Sequence, residues 1–450
     1  MSQVKVTKYL LFQKIVLGVD GEPSHLLGIP EAKGHTSESE FEVIKATLEE
    51  RGIRPEQCVG LVFDTTLTNT GEWSGICTRL AQYFNVPILW CGCRKHIIEL
   101  RVKWFIVART GQTKDPGRKL FRRFQGQFVA MQEHLKKEHL VRMDLASKPP
   151  WVQELGQEIL RWALELYSRG SFPRDDYAEF LSFVIFHLGG EVESFWPLRR
   201  PGPDHQARWM ADCVYNMKML SCSTVFPLSE QELAEVEDIS EYVVLFHAKP
   251  WFESSLASEA AVSDITFLCH IQRQYKISQV WKVCDTFYRQ LWYLTGELIP
   301  LALASKTLPA EELEALAKAL HQAEREPPSI GKPHFPTITI SLTPHPTPPK
   351  MASFVTSDSW AIFYRLGLDG LNDWLLLPCK LWPLFPPFNK LCSFVRNLAV
   401  TNDLAERGCQ LMTEFVNRVQ SPTARAALVA CVSNHREKMK DFTKKSLENC

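Results

Sequence analysis

The chain has 450 residues, 45% of them hydrophobic and 23% charged, with 51 basic residues balanced by 51 acidic ones. That composition excludes a disordered or fibrous chain, and the zero net charge excludes a binder that works through bulk charge, so any nucleic-acid contact has to come from local patches. No apolar run reaches the length of a bilayer span, and the thirteen scattered cysteines, without a dense framework or CxxC pairs, point to reduced thiols in an intracellular protein.

Residues 8 to 93 alternate strand and helix signals. The apolar run from Tyr9 to Val19 leans towards strand and ends in Asp20-Gly21, a hairpin-turn dipeptide, with a second short strand at His25 to Ile29. Ser37 stands three residues before Glu40, the spacing of a capping box, and Phe41, Ile44 and Leu48 share one face of the helix that follows. Cys58 to Phe63 and Ile88 to Cys91 read as strands buried on both sides, separated by a helix from about Gly71 to Phe84. A long helix begins near Lys95. The order β-β-α-β-α-β-α predicts a mixed α/β layer over residues 1–105.

From 106 to 325 amphipathic helical patterns dominate, as in Trp151 to Leu166 and Leu313 to Ala323, and predict an all-α domain. Residues 326–350, rich in Pro, Thr and His, read as a linker. Residues 351–450 return to helical pattern around Ser359-Trp360, Asn402 to Phe415 and Ala424 to Lys438.

Three short signals carry chemistry. Asp64 closes a buried strand within Val62-Phe63-Asp64-Thr65-Thr66, followed by Asn69-Thr70-Gly71. A carboxylate there emerges at the sheet edge, where it can ligate a hard cation through oxygen, or simply cap the turn with its polar neighbours. Cys93-Arg94-Lys95-His96 is half a zinc site without a spaced second half, so a structural role is the better reading: His96 orients a neighbouring carboxylate or phosphate while Cys93 packs below it. Glu406-Arg407, within Asn402-Asp403-Leu404-Ala405-Glu406-Arg407-Gly408, is alone no more than a solvated pair.

The ordered set resembles the hAT superfamily of DNA transposases. In that family an aspartate ends a buried strand, a Cys-x-x-His follows the next strand, an Arg-Trp dipeptide lies in a helical insertion, and a glutamate in a closing helix completes an acidic triad. The matching positions are Asp64, Cys93 with His96, Arg208-Trp209 and Glu406-Arg407, with Asn69 supporting the first. The resemblance implies an RNase H-like mixed sheet interrupted by an all-α insertion and completed by the C-terminal helices. It also implies Asp64 and Glu406 as catalytic, metal-holding carboxylates for Mg²⁺ or Mn²⁺, DNA as partner and a nuclear location, and it leaves self-association into a homo-oligomer open. The family's first aspartate has no counterpart: no acidic residue precedes Tyr9, and Asp20-Gly21 is explained by a turn. A truncated copy and a domesticated derivative both fit, and the incomplete triad predicts weak or absent cleavage.

For DNA, the best basic segment is Arg118-Lys119-Leu120-Phe121-Arg122-Arg123-Phe124, with Lys136-Lys137 beyond it. Its cations suit phosphates, and its rings suit either base stacking or a helix core. The alternative to a DNA-cutting ancestor is a non-enzymatic DNA- or protein-binding scaffold. No zinc-finger or helix-turn-helix pattern precedes the first strand, so sequence-specific recognition of transposon ends is not expected.

Overall fold

In the computed structural model, residues 34, 36–50, 52–112, 118–170, 172, 175–192, 195–201, 209–273, 290–325, 331, 333, 335–336, 349–368, 370, 373–398 and 400–401 are described, without the side chains of 209 and 270–273. The protein is mostly helical and carries a small parallel sheet of two strands. The strands expected at 9–19 and 25–29, the Asp20-Gly21 turn and the segment 402–450 lie outside the described residues.

Helix α1 spans Ser37–Glu50. Its cap is Thr36 rather than Ser37: the Thr36 hydroxyl accepts from the Ser39 backbone N–H at 3.2 Å, and Ser37 is the first helical residue. Strand β1, Gly60–Phe63, pairs in parallel with β2, Leu89–Gly92, in the register Gly60–Leu89 to Phe63–Gly92. Every residue of both strands is buried, which is why they read as unbroken apolar runs.

Parallel strands need a crossover, supplied here by a helical turn α2, Leu67–Thr70, and helix α3, Ile76–Phe84. The helix expected from Gly71 therefore starts five residues later. The reason is a tight loop in which a Cβ on Gly75 would sit 2.5 Å from the Gly71 amide nitrogen, so only glycine fits. Asn85, at φ 53°, ends α3 in the left-handed conformation and returns its N–H to the Ala81 carbonyl.

Helix α4, Arg94–Thr110, leaves the end of β2 and serves two cores. Ile97 joins the sheet core with Phe63, Trp90, Leu80 and Trp292, whereas Ile98, Val102, Phe105 and Ile106 join a helical core. The helical core collects α5 (Lys119–Gln132), α6 (Pro150–Ser168), α7 (Asp175–His187), α8 (Trp209–Ser221), α9 (Glu230–Tyr242) and α10 (Ala248–Phe252). Helix α7 lies at its centre, with every residue from Phe180 to His187 buried, as expected of a helix apolar on all sides. Between α9 and α10 the backbone passes through one π turn, Val243–His247.

The chain then rejoins the sheet core through α11 (Ala260–Arg273), α12 (Ala310–Gln322), α13 (Ala361–Arg365) and α14 (Pro386–Asn397). Ala260, Ala261 and Leu268 of α11 join the core of the sheet, with residues 291–303 and Leu316, Ala317 and Leu320 of α12, whereas Phe267 of α11 reaches back into the helical core. The greasy stretch from Trp374 to Phe388 folds on itself: Trp374, Trp382 and Phe388 form a three-ring cluster with centroids 5.4–5.5 Å apart. Among the described residues no helix is long and apolar enough to cross a membrane.

Candidate functional site

Asp64 follows the last residue of β1 and is half-buried at the carboxyl end of the sheet. The Thr-Thr-x-x-Asn sequence after it folds back onto its carboxylate. Oδ1 of Asp64 accepts from the Thr66 N–H at 3.1 Å, the Thr66 hydroxyl at 2.6 Å and the Asn69 side-chain amide at 2.7 Å. The same amide lies 3.2 Å from the Asp64 carbonyl oxygen, and Asn69 is buried beneath the turn. Asp64 therefore organises its own loop, as the spacing allows. Its other oxygen, Oδ2, takes no hydrogen bond from the described residues.

The end of β2 brings the second motif alongside. The Cys93 N–H donates to the Phe63 carbonyl at 2.7 Å, extending the ladder by one bond past the strands, and Cys93 itself is buried at the start of α4. His96, one turn into α4, lies within the field of Asp64. Burial pulls the imidazole pKa below its usual value, and the Asp64 charge opposes that pull. Cys77, at the start of α3, faces the same carboxylate; burial and then Asp64 push its thiol well above the ordinary range, which leaves it inert. Asp64, Cys93 and His96 thus stand at one end of the sheet.

The third part of that end is Val400, whose carbonyl accepts the Arg94 N–H at 2.8 Å. Glu406 and Arg407 begin six residues further on and lie outside the described residues, as do Arg208 and the Trp209 side chain. Among the described residues no group of three His, Cys, Asp or Glu side chains stands close enough to hold a metal. For a divalent cation, Asp64 Oδ2 is one hard oxygen ligand, which alone does not make a site.

Sequence reading missed the arginines beside His96. Arg94 and Arg101 lie two turns apart on α4, and both converge on Oδ1 of Asp264, at 2.5 and 2.6 Å. All three side chains are at most 2% exposed. Arg94 also reaches the Ser263 hydroxyl at 3.1 Å and lies 5.1 Å from the centroid of the Tyr293 ring, whose hydroxyl donates to the Gly92 carbonyl at 2.7 Å. Lys95 packs its amine against Trp251, 4.4 Å from the ring centroid. Two arginines seven residues apart on an otherwise apolar helix face are the signal that was there to be read.

The basic segment 118–124 is divided between partners and solvent. Arg123 holds Glu232 through both carboxylate oxygens, at 3.0 and 2.8 Å, and Arg118 faces Asp212 at 3.8 Å and contacts the Thr110 hydroxyl. Lys119 and Arg122 are exposed. Phe121 and Phe124 do not offer a stacking platform: both are buried, Phe121 against Tyr215 and Phe124 against Phe128 and Phe226. The periodicity that spaced them for bases is that of an ordinary core face.

Comparison of the chain with family models, with curated proteins and with solved structures found no match.

Proposed function

We propose that this chain derives from a hAT-like DNA transposase and keeps the remains of an RNase H-like core that cuts DNA weakly or not at all. One observation supports the reading: the Arg94 N–H donates to the Val400 carbonyl, so residue 400 stands beside the start of α4, at the sheet end where Asp64 emerges. A family triad would require a strand-end aspartate to meet a glutamate from the far end of the sequence. Asp64 Oδ2 and Glu406 would hold Mg²⁺ or Mn²⁺, which supplies Lewis-acid stabilisation of phosphoryl oxygens when bound. DNA would run along the helical side, past Lys119, Arg122 and the Arg208-Trp209 segment, with Arg118 and Arg123 held by their carboxylate partners. A nuclear location goes with the same ancestry, which leaves self-association open.

Two measurements test it. Mn²⁺ titrated into the protein and followed by electron paramagnetic resonance is expected to bind weakly, and Asp64→Asn and Glu406→Gln should abolish that binding alike. Loss in the first variant with full retention in the second would remove Glu406 from the site and the ancestry with it. Supercoiled plasmid incubated with the protein and Mn²⁺ is expected to stay intact; nicking abolished by Asp64→Asn would overturn the weak-or-absent activity. A second reading, a non-enzymatic scaffold, is favoured by the three hydrogen bonds that already occupy Asp64 Oδ1. It predicts that Asp64→Asn leaves both DNA binding and stability nearly unchanged.

A further inference from the structure

Away from the sheet end, four helices fail to close on one another. Between the last turn of α4, the first turn of α5, the middle of α8 and the Glu232–Ile239 face of α9 lies a cavity of about 490 Å³. That volume is within the range of sites that enclose small organic molecules, roughly 300–1,000 Å³. Ile106, Met219, Val236 and Ile239 line it with almost no exposure, and Phe121 stacked on Tyr215, centroids 4.3 Å apart, supplies an aromatic wall. Such a lining favours an apolar body.

The rim is polar, and its charges are unequally engaged. Glu232 is held by Arg123 through both oxygens and Asp212 faces Arg118 at 3.8 Å, whereas Glu235, on α9, accepts only the neutral Gln231 amide at 2.9 Å and keeps its negative charge on that side of the rim. Lys119 also lines the cavity; it is exposed, and among the described residues it has no partner. It is the first residue of α5, a helix of 14 residues whose N-cap position, Arg118, supplies no side-chain acceptor. The helix dipole and the lysine therefore both favour negative charge at that mouth.

We propose that this cavity binds a small organic acid, with a ring or chain body between the four helices and a carboxylate- or sulfonate-type head at Lys119 and the start of α5. This goes beyond the transposase reading and does not depend on it. The head needs one negative charge, not a polymer of phosphates, because the body must enter a cavity of about 490 Å³ whose lining includes the buried Phe121 and Met219.

The test uses two fluorescent probes of the same body, 1-anilinonaphthalene-8-sulfonate and the uncharged N-phenyl-1-naphthylamine, titrated into the full chain. Saturable binding of the sulfonate is expected, about three- to fivefold tighter than the neutral probe, a margin appropriate to one partly exposed charge pair. Lys119→Glu should erase that margin while leaving the neutral probe's affinity unchanged. Thr110→Trp, which places an indole among the half-buried lining at the end of α4, should weaken both probes in a variant whose circular dichroism shows the native helical content. Equal affinities of the two probes in the natural protein, or full binding in Thr110→Trp, would overturn the proposal. So would Lys119-dependent binding of a labelled oligonucleotide by a protein that ignores both probes.

Discussion

Arg94 donates its backbone N–H to Val400 at 2.8 Å and sends its guanidinium the other way, to Asp264 at 2.5 Å. One residue thus fixes both the position of Val400 and the seam between the first turn of α4 and helix α11. A buried carboxylate shared by two guanidiniums is tolerable only while all three stay together.

Asp264→Asn leaves Arg94 and Arg101 buried without a counter-charge and is expected to cost about 3–5 kcal/mol. Arg101→Met leaves the Arg94–Asp264 pair intact and should cost distinctly less. Urea unfolding of the two variants checks the order; equal losses would show that the second arginine is as necessary as the shared carboxylate.

Acid should destabilise the fold through two histidines. His187 bonds through Nε2 alone, donating to the Met217 carbonyl at 3.2 Å with the Ser221 hydroxyl also 3.2 Å away, and burial pulls its pKa down to about 4. His247, in the π turn, has no partner for either ring nitrogen among the described residues, and burial with the Arg101 charge takes its pKa to about 3. Both are depressed from 6.5, so the unfolded chain binds protons that the folded chain refuses. The contribution of these two histidines is full above pH 6.5, drains away as pH falls, and stops draining below about pH 3. His247→Leu is expected to flatten that slope without loss at neutral pH; thermal midpoints between pH 7.5 and 4, with an unchanged slope in the variant, would refute the assignment.

Gly75→Ala places a methyl 2.5–2.7 Å from the Gly71 amide and carbonyl and the Asn69 carbonyl, all backbone atoms that cannot step aside. Roughly 2–3 kcal/mol of destabilisation is expected from such overpacking. Hydrogen exchange should show the loss concentrated at residues 66–78, where the Thr78 hydroxyl bonds the Gly71 carbonyl; a uniform loss would point elsewhere.

Phe124→Ala is expected to cost about 3–5 kcal/mol, because the ring is fully buried against two others. Affinity for single-stranded DNA, measured at a temperature where the variant is folded, should not move.

Much of the sheet end was legible from residues alone. The two apolar runs became β1 and β2 because continuous burial writes itself as continuous hydrophobicity, and the polar turn after Asp64 followed from side chains that bond their own backbone. The partition of the helices was not legible. Nothing in Ala260–Arg273 marks which residues pack against the sheet and which against the helices: Ala260, Ala261 and Leu268 join the sheet core and Phe267 the helical core, and Asp264 between them has value only opposite Arg94 and Arg101. The role of segment 118–124 was ambiguous for a related reason. A ring three or four residues from a cation looks the same whether it faces solvent or a neighbouring helix, and only Tyr215 and Phe226, distant in sequence, decide it.

Helix α4 has no free side: Ile97 is mortared into one half of the molecule and Ile98, Val102 and Phe105 into the other. Excising the stretch that follows it would strip that flank bare, leaving a greasy stump rather than a tidy smaller protein. The two halves are accordingly obliged to melt together, in one calorimetric peak, and evolution could not have shed the helical half without rebuilding the beam that it leans on.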